Sequence, residues 1–301
     1  MTKLRNLDLK LLQLFDQVFR LRNLSRVAEQ LGLTQPAVSL ALKRLRQHFD
    51  DPLFVRVGAA MEPTPVAVQL HAMATNSVAS LEAMLAFQPS FDPTKNARNF
   101  RIAMTDVGQV VVLPGLLNAL AVAAPHATLT VSSISPATAD ELQQGAVELA
   151  LGFLPELDGR FVQQALFVET FSCLVRKRHP RIGTALSVRQ YRDEHHVLVE
   201  TAGTGHFVVE KHLARKSVVR KVGVQIPNFI GLATVVGSTD LIATLPSRAA
   251  RILAQGSNAQ VLALPVDIPG YQVRQQWHER MQRDPGHAWL RKLIATLFKS
   301  V

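Results

Sequence analysis

Residues 25–49 read SRVAEQLGLTQPAVSLALKRLRQHF, and few folds accommodate such a stretch. Two helical segments meet at Gly32-Leu33-Thr34, a turn too short to let them separate. Wound at about 100° per residue, the second segment places Ala37, Val38, Ala41, Leu42 and Leu45 on one side. Gln35, Pro36, Ser39, Leu40, Lys43 and Arg44 fall on the other side, with Arg46 and Gln47 at its edges. The local chemistry supports two separate helices: Ser25 is placed to cap the first and Gly32 to end it in a left-handed turn. Leu33 is expected as the buried plug of the turn. Thr34 is placed to cap the second helix, with Pro36 in its first turn, where a missing N–H costs nothing. The pattern is that of a helix-turn-helix. The exposed face near Gln35 is then the part that meets base edges in a major groove; the plainer alternative is an amphipathic helix pair with a solvated charged side.

Around this motif, residues 8–22 space Leu9, Leu12, Phe15, Val18 and Phe19 as a bracing helix. Residues 53–57 read as a strand, Gly58-Ala59-Ala60 as a tight connection and Met61-Glu62-Pro63 as its return, a wing on which Arg56 can reach a phosphate. Thr64-Pro65 opens a helix to about residue 87. Leu70, Ala74, Ser77, Leu81 and Met84 recur on it at intervals of four and three, beside Val78 and Leu85, a spacing suited to a seam between two chains. Residues 88–98, with Pro89 and Pro93, make the best hinge.

From residue 99 onward, short apolar runs at 100–104, 128–134, 147–152, 196–200, 218–225 and 241–245 alternate with helical stretches, which indicates an α/β sheet with crossovers. Residues 161–176 leave no room for a helix and read as two consecutive strands joining two subdomains. Residues 271–276 make a further strand and 284–298 a capped amphipathic helix.

TQPAVSLALKRLR followed by DDPLFVR resembles the N-terminal domain of LysR-type transcriptional regulators, and the resemblance runs through essentially the whole chain. It implies a winged helix-turn-helix over residues 1–63, a linker and dimerisation helix with hinge over 64–90, and an effector-binding regulatory domain over 91–301. That domain is similar to the type 2 periplasmic-binding-protein fold, with subdomain I at about 91–162 and 268–301 and subdomain II at about 163–267. FRIAMTD, GSTDLIATLP and WHERMQRDPGHAWLR look especially like the branch that responds to salicylate-type aromatic acids and controls aromatic catabolism. The partners implied are a pseudo-palindromic DNA operator, a small carboxylate effector, a second copy or three further copies of the chain, and RNA polymerase. DNA contacts are expected from Gln35, Pro36, Ser39, Leu40, Lys43, Arg44 and Arg56.

In an open α/β sheet, ligands bind at the carboxyl ends of strands, where helix N-termini direct N–H groups. Residues 105–108, 133–138 and 201–206 qualify. The effector contacts expected there are Thr105, Thr204 and His206, with Phe229 as an aromatic wall and Arg248 as a cation. Plainer alternatives stand beside each: Thr105 as a helix cap, Phe229 as core, Arg248 as a surface charge, His206 bonded to a carbonyl. Glu169, near the cleft, would oppose an anionic effector unless paired.

Composition bounds the rest. The 301 residues carry a formal charge of +10, which favours polyanionic partners. The excess is spread along the chain: 10 basic and 7 acidic residues before residue 91, 23 and 16 after it. Charge alone therefore does not locate the DNA-binding part. The first 15 residues lack the apolar core and cleavage site of a signal peptide, and no run approaches roughly 18 apolar residues, so a cytoplasmic, non-membrane protein is expected. The single cysteine, Cys173 in FSCLV, reads as a buried thiol. No catalytic motif, metal cluster or cofactor site is visible: HExxH, a Walker loop and GxSxG are missing, and Gly203-Thr204-Gly205 lacks the third glycine of a dinucleotide loop. A solute-binding protein is the alternative from another class, and a LysR-type regulator with an unrelated effector is the nearer one.

Overall fold

Asn23 is extended, and its Oδ1 accepts from the backbone N–H groups of Ser25 and Arg26 at 3.0 and 3.2 Å. It, not Ser25, caps the first helix of the motif, which begins at Leu24 and so places Ser25 inside its opening turn. A computed structural model describes residues 9–157, 159–200 and 205–298. The chain divides after Gln88 into two compact units.

The first unit runs α1 (Leu9–Leu21), α2 (Leu24–Leu31), α3 (Gln35–Phe49), β1 (Phe54–Val57), β2 (Ala60–Pro63) and α4 (Pro65–Leu85). Gly32, at φ 63°, ends α2, and Thr34 Oγ1 accepts from Ala37 N at 3.4 Å to open α3. Phe15, Val18, Val27, Val38, Leu42, Leu45, Leu53 and Phe54 form one core. The buried stripe of α3 is narrower than expected: Val38, Leu42 and Leu45 are buried and Ala41 partly so, while Ala37 is exposed. Leu33 is no plug either, with 46% of its surface exposed; Val27, Ala28 and Val38 already fill the core beneath the turn. Arg46 folds back to donate from Nε to Pro52 O and from Nη2 to Phe54 O, both at 2.7 Å, so it braces the wing instead of joining the solvent face.

β1 and β2 pair antiparallel through the turn at Gly58, φ 61°. The strand starts at Phe54 because Leu53 is left-handed, φ 59°, and buried. Thr64 Oγ1 caps α4 by accepting from Ala67 N at 3.1 Å and donates its own proton to Asp51. The His71 ring stacks on Phe19 with centroids 3.8 Å apart, and its Nε2 lies 2.9 Å from Asp16 Oδ1. Leu70 and Ala74 thereby pack into the unit's own core. The later turns stay open, with Met73, Met84 and Leu85 exposed and Val78 and Leu81 partly covered.

The second unit holds two five-stranded sheets. The first contains β3 (Arg98–Met104), β4 (Ala127–Ser132), β5 (Leu149–Gly152), β6 (Val162–Glu169) and β12 (Tyr271–Trp277), in the order β4-β3-β5-β12-β6. The second contains β7 (Phe171–Arg176), β8 (His195–Val199), β9 (Lys221–Ile226), β10 (Ile242–Pro246) and β11 (Ala259–Ala263), in the order β11-β7-β10-β8-β9. β3 runs parallel to β4 and β5, and β8 parallel to β9 and β10; β12 and β7 are antiparallel to their neighbours. Among the described residues the α-helices are α5 (Asp106–Val111), α6 (Leu113–Ala123), α7 (Thr138–Gln144), α8 (Val188–Asp193), α9 (His206–Arg215), α10 (Leu232–Ser238), α11 (Ser247–Ala254) and α12 (Pro285–Leu297).

The run 161–176 is two consecutive strands, and the chain changes sheets between them. β6 belongs wholly to the first sheet, so the first crossing falls at Thr170 and not near residue 162; the return lies between Ala263 and Tyr271. β11 was not anticipated. No described helix is long and apolar enough to cross a membrane.

Candidate functional site

The first site is the outer face of α3. Gln35, Pro36, Leu40, Lys43 and Arg44 are exposed and Ser39 is half-exposed. Gln35 Nε2 donates to Ser39 Oγ at 3.2 Å, one turn on, which orients the amide at the helix N-terminus. Leu40 shows 54% of its surface, an apolar group amid donors that no core claims. Arg56 stands exposed on the wing, its Nε donating to Gly58 O at 3.3 Å. Beside it, Arg22 and Glu62 form a 2.6 Å ion pair. The face therefore offers two cations, an oriented amide, a hydroxyl and the apolar surfaces of Pro36 and Leu40. Those are the groups that meet phosphates, base edges and a thymine methyl.

The second site lies where the two sheets of the second unit face each other at their strand ends. Thr105 follows β3, is buried, and caps α5 by accepting from Gly108 N at 3.0 Å. Next to it, Asp106 Oδ1 accepts from Val107 N, and its Oδ2 accepts the backbone N–H of Phe229, which belongs to the other sheet's layer. Thr105, Val111, Leu166, Phe167, Glu169 and Tyr271 are among the walls of a small cavity under α5.

Glu169 is buried, and burial pushes its carboxyl above the usual range; the N–H groups of Thr170 and Arg248 and the charges of Arg248 and Arg251 oppose that rise. Arg248 is no loose surface charge. Its Nε lies 3.8 Å from Glu169 Oε2, and its guanidinium sits 4.5 Å from the centroid of the Phe167 ring. Tyr271 stands opposite Glu169 in the β6–β12 register, with its hydroxyl pKa raised by burial and by that neighbour. Gly205, at φ 68°, lies against the Tyr271 ring, where a Cβ would come within 2.8 Å of a ring carbon.

His206 opens α9 half-buried, and its buried Nδ1 has no hydrogen-bond partner among the described residues. Burial, and then the charge of Arg220, lower its pKa to about 4, so the ring is neutral near pH 7. Its centroid is 6.0 Å from that of Phe229. Phe229 is core, packed with Val199, Leu232 and Leu245, and not an exposed aromatic wall; the Asp106 bond and the apolar cluster hold it there. Thr204, with residues 201–203, lies outside the described residues. In the loop 133–138 the hydroxyls serve the backbone: Thr138 Oγ1 accepts from Ser135 N at 2.9 Å and Ser135 Oγ from Ala137 N at 3.2 Å.

The structure thus brings Thr105 to one cavity with Glu169 and Tyr271, His206 to Phe229, and Arg248 to Glu169. Sequence reasoning missed Asp106 and the cavity role of Tyr271; an aspartate directly after a capping threonine was the available signal for the first. Cys173 is buried, its thiol pushed up to about 12 by burial. Among the described residues no cluster of three His, Cys, Asp or Glu could hold a metal.

The model of bacterial regulatory helix-turn-helix proteins of the lysR family matches residues 9–68, and that of the LysR substrate binding domain matches residues 94–299. The chain belongs to the LysR family of transcriptional regulators. It is 40% identical over 298 residues to the HTH-type transcriptional activator NagR of a Ralstonia species, covering 98% of each chain. It is also 40% identical over 297 residues to the HTH-type transcriptional activator NahR of Pseudomonas putida, covering 98% of this chain and 99% of that one. Among solved structures, a probable transcriptional regulator from Pseudomonas aeruginosa is similar at 34% identity with a TM-score of 0.61, over 97% of each chain. As a LysR-type regulator the chain binds DNA and a small-molecule effector, and its relatives are regulators, not enzymes.

Proposed function

We propose that this LysR-type regulator controls the breakdown of an aromatic carboxylate in the cytoplasm. It reads a pseudo-palindromic operator with the α3 faces of two chains paired through the open turns of α4, and acts on RNA polymerase bound nearby. Gln35, Ser39 and Lys43 enter the major groove, Leu40 meets a thymine methyl, and Arg44 and Arg56 hold phosphates. Supporting the DNA half is the capped α3, whose Gln35, Leu40, Lys43 and Arg44 stand exposed among the described residues.

For the effector, one observation carries the reading. Arg248 meets a carboxylate inside the fold, that of Glu169, and burial already pushes that acid toward its neutral form. An effector carboxylate takes over Arg248 as Glu169 protonates, with Thr105, Thr204 and His206 supplying donors. Glu169 also favours a second reading, an effector bearing a hydroxyl or amino donor and no charge. Calorimetry on the full chain with salicylate, benzoate and their amides separates the two: acids binding at least tenfold tighter than amides support the carboxylate, and equal or tighter amides overturn it.

A further inference from the structure

The cavity under α5 has a volume of about 30 Å³, room for about two waters, whereas a cavity that takes a benzene ring measures roughly 150 Å³. A ring enters only if a wall moves. β5, β12 and β6 are adjacent, hydrogen-bonded strands of one sheet, and shifting any of them breaks a ladder. Among the described residues the remaining wall is α5 with its flanks, Thr105 to Val112, a helix of six residues.

That helix is held to the opposite subdomain in two ways. Val107 is buried in the second sheet's apolar cluster, beside Ala249 and Ala250 of α11. Asp106 Oδ2 accepts the Phe229 N–H. Apolar contact tolerates sliding; a hydrogen bond to a charged acceptor is either made or broken.

We propose that Asp106 is a latch, a positioning residue whose bond to Phe229 N–H holds α5 down over the cavity, and that an aromatic ring enters by lifting α5 and releasing that bond. The half concerning ring entry rests on the aromatic effector proposed above; the latch itself needs no ligand. Release is also the signal. It removes one of the two restraints on the segment that joins β9 to α10, the apolar cluster around Phe229 being the other, so occupancy of a cavity walled by the first sheet loosens a segment of the second subdomain.

The test is hydrogen exchange with residue-level fragmentation on the full-length protein, comparing wild type, Asp106→Ala and Asp106→Asn without ligand, then wild type with salicylate at a concentration shown by calorimetry to saturate it. Asp106→Ala should speed exchange at Phe229 roughly ten- to a hundredfold, the equilibrium weight of one charge-assisted bond, while α12 keeps its protection. Asp106→Asn, which retains an acceptor oxygen, should restore most of the protection at Phe229, a rescue that general destabilisation would not give. Bound salicylate should speed exchange at Phe229 in wild type. Unchanged exchange at Phe229 in Asp106→Ala, or a rise equally large in α12, overturns the latch. Salicylate bound with Phe229 still protected overturns ring entry by this route. Failure of salicylate to bind contradicts the aromatic-acid reading, and the Asp106→Ala comparison still decides the latch.

Discussion

Arg248 Nε sits 3.8 Å from Glu169 Oε2, while Glu169 Oε1 accepts the N–H of Thr170 at 3.0 Å and that of Arg248 at 3.4 Å. The carboxyl is well supplied with donors, yet burial outweighs them and its pKa rises. An acid with a raised folded-state pKa binds its proton more tightly folded than unfolded, so it lowers stability as pH climbs from the unfolded value toward the folded one.

Glu169→Gln, which keeps an acceptor oxygen, should therefore melt no lower than wild type at pH 7. Its advantage should shrink as pH falls through the carboxylate range, where the wild-type acid becomes neutral. Thermal unfolding at pH 7, 6, 5 and 4 checks this; a variant clearly less stable at pH 7 would mean that the ion pair with Arg248 outweighs burial.

Two fully buried histidines push the other way. His196 donates from Nε2 to Tyr191 O at 2.6 Å; His287 donates from Nε2 to Glu148 O at 2.9 Å and accepts from Arg291 Nη1 at 2.7 Å on Nδ1. Burial lowers both to about 4, helped at His287 by the charge of Arg291. Between pH 6.5 and 4 the unfolded chain takes up protons that the folded one refuses, so stability falls with pH in that window and levels off below it. The loss is roughly 3 kcal/mol per histidine at the acid end. Urea unfolding of the full chain, following the two tryptophans of the second unit, Trp277 and Trp289, should give a midpoint that drops steadily from pH 6.5 to 4.5; a flat midpoint would contradict neutral buried rings.

Leu81 is half-exposed on α4, in line with open Met84 and Leu85 and one turn beyond Ser77. Leu81→Glu should halve the mass of the proposed pair in light scattering and weaken operator binding, because a charge would be buried in the seam. An unchanged mass with intact operator binding would remove α4 as the pairing helix.

Features fixed by neighbours in the chain were legible before the fold was known. Gly32, Thr34, Thr64 and Asp284 sit at helix ends where their own backbone chemistry places them. Even there, Asn23 and Ser25 are both good caps two residues apart, and the choice falls to where α2 packs. The pairings that shape the cleft were out of reach: Arg248 meets Glu169 across 79 residues and Phe229 meets Asp106 across 123, and no local pattern encodes which partner a buried polar group finds. β11 is hard to read for a related reason, since AQVLA holds a single β-branched residue, Val261, and pairs with β7 from a distant part of the chain.

That this chain reads a particular DNA sequence through α3 is tested most directly by titrating the full-length protein against duplexes selected from genomic fragments, at several salt concentrations, for wild type, Gln35→Ala and Lys43→Ala. The expected result is tight binding to a dyad site. Gln35→Ala should cost about 1–3 kcal/mol on the selected site and relax the preference at one base pair, and Lys43→Ala, losing its own groove contact, should weaken the selected site more than random duplexes and relax the preference at a second base pair. Equal affinity for selected and random duplexes, or affinity, salt slope and base preference unchanged in both variants, would contradict it.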